Sequence, residues 1–344
     1  MNHEYFMQRC LELAKRGAGF VNPNPLVGCV IVNDGKIISE GWHTAFGKDH
    51  AERMAIGLLP NKGILSDSTV YVNLEPCAHF GKTPPCANLL IKHKVKRVVV
   101  GMTDPNLLVA GKGIAMLRDN GIEVIENICN LDCLELNKFF LTFHTKKRPY
   151  IVLKWAECAN GFMAPSPKSR FQISGPETHS INHSLRRDVS AILVGVNTWN
   201  IDNPQLNNRL WSGTSPRRFV IDNHLKGNYT SDFVSDSPVY VLNSIKNEIV
   251  ENVHFIQLEF DQNFLNHLLA LLFKLNINSL MVEGGAFTLG EFIKYNLFDE
   301  IHRFKSKNIR LTNGDLAPEI KANLVSGQEF PSDFYEVFKN HVSL

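Results

Sequence analysis

Several things are missing from this sequence, and each absence removes a class of function. No apolar run approaches the ~20 residues that a helix needs to cross a bilayer. No charged, apolar, small-residue leader follows Met1, which runs straight into a helix-like pattern, so a cytoplasmic protein with no membrane partner is expected. Charge of one sign is also missing: 36 Lys+Arg against 34 Asp+Glu leave +2. A polyanion binder shows a basic excess or a basic block, so nucleic acid is not the expected partner, although one small phosphate could be accommodated. Cysteine is sparse and scattered. Cys10, Cys29, Cys77, Cys86, Cys129, Cys133 and Cys158 form an odd set that reads as reduced thiols and excludes a disulfide framework. Internal repeats and low-complexity segments are absent.

What is present is ordinary globular composition, 44% hydrophobic and 20% charged, in a 344-residue chain too long for one compact core. Two domains are therefore expected. Apolar spacing predicts a helix over Tyr5–Lys15, and strands Val27–Val32 and Lys36–Ser39 around the hairpin signal Asn33-Asp34-Gly35. Helix His50–Leu59, strand Thr69–Leu74, helix Cys86–His93 and strand Arg97–Gly101 follow. Helix Gly111–Asn120, strand Ile122–Ile125 and helix Leu131–His144 complete the half. Strands separated by helices imply a largely parallel sheet covered on both faces. Lys146-Lys147-Arg148-Pro149 is a basic, proline-terminated break, giving domains 1–146 and 150–344. The second run has strands at Tyr150–Trp155, Ser190–Val196, Arg218–Asp222, Val239–Leu242 and Ser279–Val282. Its helices fall at Glu177–Arg187, Gln262–Leu275 and Phe287–Lys294.

His50-Ala51-Glu52 alone says little, because chance supplies such a triplet in a chain with 13 His and 34 acidic residues. The cysteines change that. Pro76-Cys77 follows a strand, and Thr83-Pro84-Pro85-Cys86 opens a helix, where the dipole favours the thiolate a metal requires. One His and two Cys leave a fourth tetrahedral position open, as a catalytic zinc needs for its water. The metal brings that water's pKa to around 7, and Glu52 is the natural proton shuttle. Side chains two apart diverge on a helix, so His50 and Glu52 can converge only at its tip, with Asp49 as the expected helix starter.

Leu74-Glu75-Pro76-Cys77-Ala78-His79-Phe80-Gly81-Lys82-Thr83-Pro84-Pro85-Cys86 resembles the bifunctional riboflavin-biosynthesis deaminase/reductase family, in which the gap between the cysteines is longer than in other zinc deaminases. Asn22-Pro23-Asn24-Pro25-Leu26-Val27-Gly28, Gly41-Trp42-His43, Asp104-Pro105-Asn106 and Val109-Ala110-Gly111-Lys112-Gly113 agree. The resemblance implies a cytidine-deaminase-like α/β/α domain with one zinc per site and a phosphorylated pyrimidine substrate. It assigns substrate contacts to Asn24, His43, Lys82, Asp104 and Asn106. Asn24 would read a base edge, Lys82 would meet the phosphate, and His43 would donate to phosphate or ribose.

Residues 150–344 resemble the same family's reductase domain, whose fold is like dihydrofolate reductase. The matching stretches are Ala191–Thr198, Asp202–Arg209, Pro216–Asp222 and Val282–Ala286. The implied chemistry is NADPH-dependent reduction of the opened ribose to ribityl. Thr198, Asp202 and Ala156 would lie beside the cofactor, with Lys154, Leu206 and Glu283 toward the substrate. Gly284-Gly285 between a strand and a helix would offer free N–H groups to a phosphate, and Arg186 and Arg209 could hold the substrate phosphate. No G-x-G-x-x-G follows Tyr150–Trp155, so a Rossmann domain is not supported. Asn160 stands where the family has an acid, Phe171 near where it has a Trp, and Phe304–Asn308 replaces an Ala-Pro-Lys pattern. A homo-oligomer is expected by resemblance. The readings set against a bifunctional enzyme are a deaminase whose C-terminal half only binds nucleotide or supports assembly, a polynucleotide-editing deaminase, and a structural zinc module. The last two are disfavoured by the balanced charge and by the open ligand position.

Overall fold

The computed structural model describes residues 2–78, 84–105, 110–230, 234 and 237–340. It contains two compact units, 1–147 and 148–344. Among the described residues no helix is long and apolar enough to cross a membrane.

The first unit runs α1 (His3–Lys15), β1 (Gly28–Asn33), β2 (Lys36–Trp42), α2 (Ala51–Gly57), β3 (Thr69–Val72) and α3 (Cys86–Lys92). It continues through β4 (Arg97–Val100), α4 (Lys112–Asp119), β5 (Glu123–Ile125), α5 (Asn130–Leu136) and α6 (Lys138–Lys146). Its five strands lie in the order β2-β1-β3-β4-β5. The expectation of a largely parallel sheet holds only for β3, β4 and β5. β1 is antiparallel to both of its neighbours: the turn at Asp34-Gly35 is too short for a crossover and makes a hairpin with β2, and the connection through α2 brings β3 back in the direction of β2. Successive side chains of a strand face opposite ways, and β1 shows the result. Cys29 and Ile31 join Ala55, Leu90 and Leu117 on one face, while Val30 and Val32 join Phe6, Met7 and Leu11 on the other.

The approach of α2 to the sheet requires glycine at 41. A Cβ there would meet the Ala51 carbonyl and the Ala55 nitrogen at 2.6 Å, so the helix carrying the His50-Ala51-Glu52 triplet lies directly on β2. The single helix expected over 131–144 is broken at Asn137, whose side chain bonds elsewhere: it accepts from the Leu26 N–H (2.8 Å) and donates to the Leu26 carbonyl (3.0 Å). Buried Asn73 donates to the same carbonyl and accepts from the Gly28 N–H. These two amides anchor the segment that carries Asn24.

The second unit runs β6 (Tyr150–Glu157), β7 (Phe162–Pro165), α7 (Pro176–Asp188), β8 (Ala191–Gly195), α8 (Val196–Asp202), β9 (Arg217–Ile221), β10 (Val239–Asn243) and β11 (Glu248–Val250). Then come β12 (Val253–Gln257), α9 (Phe264–Lys274), β13 (Ser279–Val282), α10 (Ala286–Lys294), β14 (Glu300–Ser306), β15 (Gly314–Leu316), β16 (Asn323–Glu329) and β17 (Asp333–Lys339). Ten of these strands form one sheet in the order β11-β12-β10-β9-β8-β13-β6-β14-β17-β16. It is parallel from β12 to β14 and antiparallel at both edges. Leu153, Leu193, Phe219, Leu268, Leu280 and Leu289 are among the residues of its core.

Replacing Asn137 with Ala leaves the Leu26 N–H without its acceptor and is expected to cost about 2 kcal/mol. Calorimetry should show the transition of the first unit lowered, with exposed Asn120→Ala within about 0.5 kcal/mol of the parent.

Candidate functional site

Three segments of the first unit converge. His50 is the N-cap of α2, in extended backbone just before its first turn. The expectation that Asp49 starts this helix is corrected: Asp49 instead pairs with Arg53 at 3.7 Å. Cys77 lies in the loop after β3, and Cys86 is the first residue of α3, with Pro85 before it. Nδ1 of His50 is 3.6 Å from the Cys77 sulfur and 3.4 Å from the Cys86 sulfur. The three ligating atoms all lie within 4.8 Å of one another. Arg53 braces the assembly, donating to the Pro84 carbonyl at 3.2 Å from the turn that carries His50. One other His/acid group, Glu259–Asp261–His267, comes within ligating reach among the described residues, and its two carboxylates are exposed.

One imidazole nitrogen and two sulfurs at this spacing form the soft, tetrahedral-prone donor set of zinc, one ligand short of closure. The electrostatics agree. Hydrogen bonding from Cys86 holds the Cys77 thiol well below its ordinary pKa against its burial, and His50 acts in the same sense. The Cys86 N–H adds a further bond to that sulfur at 3.3 Å. His50 in turn is raised, chiefly by Cys77. Glu52, 3% exposed, sits at the same helix tip. Burial first, and then the negative Cys77, push its pKa up to about 7.

His43 packs edge-on against His50, ring centroids 5.7 Å apart. Its Nδ1 lies 3.0 Å from the Asp49 carbonyl and therefore carries the hydrogen, which leaves Nε2 to accept from the Asn24 amide at 3.0 Å. Burial lowers its pKa and keeps it neutral. In this arrangement His43 orients Asn24, which differs from the expected donation to phosphate or ribose. Asp104 is tied by its N–H to the Glu75 carboxylate, two residues before Cys77. Lys82 and Asn106 lie outside the described residues. Sequence reasoning missed Arg53 and Glu75; for Glu75 the signal was an acid beside the first cysteine, ahead of a helix with no capping side chain of its own.

The second unit holds a cavity of about 1550 Å³, lined among others by Lys154, Ala156, Thr198, Asp202, Leu206, Arg209, Glu283 and Gly285. It exceeds the usual range for one small ligand. The N-terminus of α10 opens on it, with Gly285 at positive φ (+55°) as the N-cap. A Cβ on Gly284 would press on the Thr198 side chain at 3.1 Å. Free N–H groups at that helix start suit a dinucleotide's phosphates. Asp202 lines the wall with its pKa raised by burial, and burial lowers that of Lys154, whose Nζ lies 5.3 Å above the Phe304 ring.

Arg186 grips Glu283 with both arms, Nε to Oε1 at 2.9 Å and Nη2 to Oε2 at 2.7 Å. Its charge, expected to be available to a phosphate, is already balanced by this carboxylate. Among the described residues the Arg209 guanidinium donates to the neutral Gln205 and Asn207 side chains, at 3.1 and 3.0 Å, and has no carboxylate partner. His183, unforeseen, shares a face of α7 with Arg186 at i,i+3 and accepts from the Arg209 N–H at 3.3 Å. Burial, then Arg186, depress its pKa to about 4. Asn160 is not on the cavity wall; its amide bonds to both backbone groups of Leu311. Phe171 does line the cavity.

Comparison with known proteins matches both halves. The cytidine and deoxycytidylate deaminase zinc-binding region matches residues 1–102, and the RibD C-terminal domain matches residues 149–305. Riboflavin biosynthesis protein RibD of Aquifex aeolicus (strain VF5) is 41% identical over 320 residues, covering 90% of this chain and 89% of the relative. The structure of a diaminohydroxyphosphoribosylaminopyrimidine deaminase/5-amino-6-(5-phosphoribosylamino)uracil reductase from Thermotoga maritima is 37% identical, with TM-score 0.90 and 98% of each chain covered. Acinetobacter baumannii RibD is 31% identical, with TM-score 0.90 over 98% of each chain.

Burial alone would raise the pKa of Glu283, but Arg186 and Lys154 outweigh it and hold the carboxyl at about 2, below its ordinary 4.5. A depressed folded-state pKa stabilises above the unfolded value and loses that stabilisation as pH falls through the folded one. Glu283→Gln should therefore destabilise the second unit by about 3 kcal/mol at pH 7. Denaturation measured against pH should show the gap from the parent closing between about 4.5 and about 2.

Proposed function

The chain belongs to the RibD family of riboflavin-biosynthesis proteins, bifunctional in deamination and reduction, and on that premise we propose which substrate each half takes and which residues act on it. The first unit deaminates diaminohydroxyphosphoribosylaminopyrimidine to 5-amino-6-(5-phosphoribosylamino)uracil. The second reduces the ribosyl group of that product to ribityl with NADPH. The observation that carries the reading is the convergence of His50, Cys77 and Cys86 at a helix tip beside buried Glu52.

His50, Cys77 and Cys86 would hold one zinc ion, which when bound supplies a Lewis acid that makes water nucleophilic at neutral pH. Glu52, with a pKa near 7, is matched to taking a proton from the attacking water and giving it to the departing nitrogen, so that ammonia leaves as the ring carbon gains oxygen. Asn24, oriented by His43, presents its amide to the base edge. Asp104, Lys82 and Asn106 complete the substrate contacts on the strength of the family motif.

In the second unit the N-terminus of α10, with Gly284, Gly285 and Thr198, would receive the cofactor phosphates, and Ala156 and Asp202 would flank its reactive end. NADPH, when bound, supplies the hydride. Lys154, Leu206 and Glu283 face the opened sugar, and Lys154 can hold the proton that the reduced imine nitrogen requires. Arg209 is the cation for the substrate phosphate; Arg186 reaches it only by sharing with Glu283. Assembly as a homo-oligomer belongs to the same reading and rests on the family alone.

A coupled assay tests this. The purified protein should release ammonia from the diaminopyrimidine substrate and then oxidise NADPH in equal amount. Glu52→Gln should cut ammonia release by about a thousand-fold or more while retaining zinc. The same variant should still oxidise NADPH when given the deaminated intermediate. Ammonia without NADPH oxidation would refute the reductase half, and no ammonia from zinc-loaded protein would refute the substrate.

A further inference from the structure

Glu75 is 3% exposed and has no charged partner among the described residues; its carboxylate is enclosed by backbone. Oε2 accepts from the N–H of Asp104 at 3.1 Å and of Gly111 at 3.0 Å, and Oε1 from Gly113 at 2.8 Å and Ile114 at 3.3 Å. Its own N–H donates to the Met102 carbonyl at 2.9 Å. A carboxylate that accepts so many N–H bonds is expensive to replace, because each donor left bare in the interior costs its full desolvation.

The arrangement is directional. Gly111 is the N-cap of α4, lies at φ +74° and has no side chain with which to cap the helix. Glu75 supplies that cap from another segment, taking the N–H groups of the second and third helical residues. The helix start also sits hard against the metal loop: a Cβ on Gly113 would meet the Pro76 carbonyl at 2.0 Å. Asp104 and Gly111, the two ends of one connecting segment, are drawn to the same oxygen. Two residues further on from Glu75 is Cys77.

We propose that Glu75 is a positioning residue for deamination, fixing Asp104 and the start of α4 in register with the Cys77 segment so that substrate is held against the metal centre. The proposal rests on the reading of Asp104 as a substrate contact. Glu75→Gln keeps the shape of the side chain but sets an amide N–H against two backbone donors. Its expected phenotype is a split: KM for the pyrimidine substrate rises about ten-fold or more, while kcat stays within about three-fold. Zinc content, read by atomic absorption, stays at the parent level, and NADPH oxidation with supplied intermediate is unchanged.

An unchanged KM, or loss of zinc together with kcat, overturns the proposal, because a residue that merely supports the fold or the metal would give the second pattern. Should Glu75→Gln not accumulate as folded protein, Gly111→Ala carries the test. Its side chain enters open space but strains the φ that brings the Gly111 N–H to Oε2, so KM should rise in the same direction; no rise overturns the proposal. Asp104→Asn separates the two layers. If it leaves KM unchanged, the contact reading fails whatever Glu75→Gln does. If it raises KM and Glu75→Gln does not, positioning alone fails. A double variant no worse than the worse single would show that both act through one contact.

Discussion

A carboxylate taken out of water must find donors or positive charge to match, or else give up its own charge. Each unit contains answers to that demand. Glu75 is surrounded by backbone N–H groups and is thereby committed to holding chain segments together. Glu283 is clasped by the Arg186 fork and keeps its charge on the cavity wall down to low pH. Glu52 has neither enclosure nor fork. It is buried beside Cys77, and its pKa rises to about 7, where a proton is most easily taken and returned. The same side chain does three jobs according to what surrounds it.

The parts of this molecule that were legible in the sequence are those where a side chain's type and its spacing say the same thing. The strands of the two cores were readable because they are apolar, and the metal triad because prolines mark the helix start that places Cys86. Less legible was whatever depends on a long-range partner. Nothing local marks Asn137 as a helix break, since its amide is drawn off by Leu26, more than a hundred positions earlier. β16 escaped because all seven of its residues are exposed and no apolar alternation marks it. β14 escaped because its buried positions include Glu300 and His302 as well as apolar residues, so the two faces do not differ in polarity.

The candidate residues of the second unit show where a motif match runs ahead of geometry. Arg186 and Arg209 look equivalent as sequence, but one is paired with Glu283 and the guanidinium of the other has only neutral partners among the described residues, so their capacity to meet a phosphate differs. The departure at Asn160 looked like a lost acid at the site. The amide is instead spent on Leu311, away from the cavity wall, and it makes a pair of backbone bonds there that a carboxylate, lacking a donor, could not make.

The closure of one connecting segment on a single oxygen has a bearing on how this protein can change over evolutionary time. Asp104 and Gly111 are pinned at the same point, so a change in the length of chain between them need not move either. Lengthening such a segment adds only about 0.6 kcal/mol of closure entropy per doubling. Insertions there can thus be absorbed while Cys77 and α4 stay where they are, so length between these two anchors is a dimension along which relatives can diverge without loss of the metal centre.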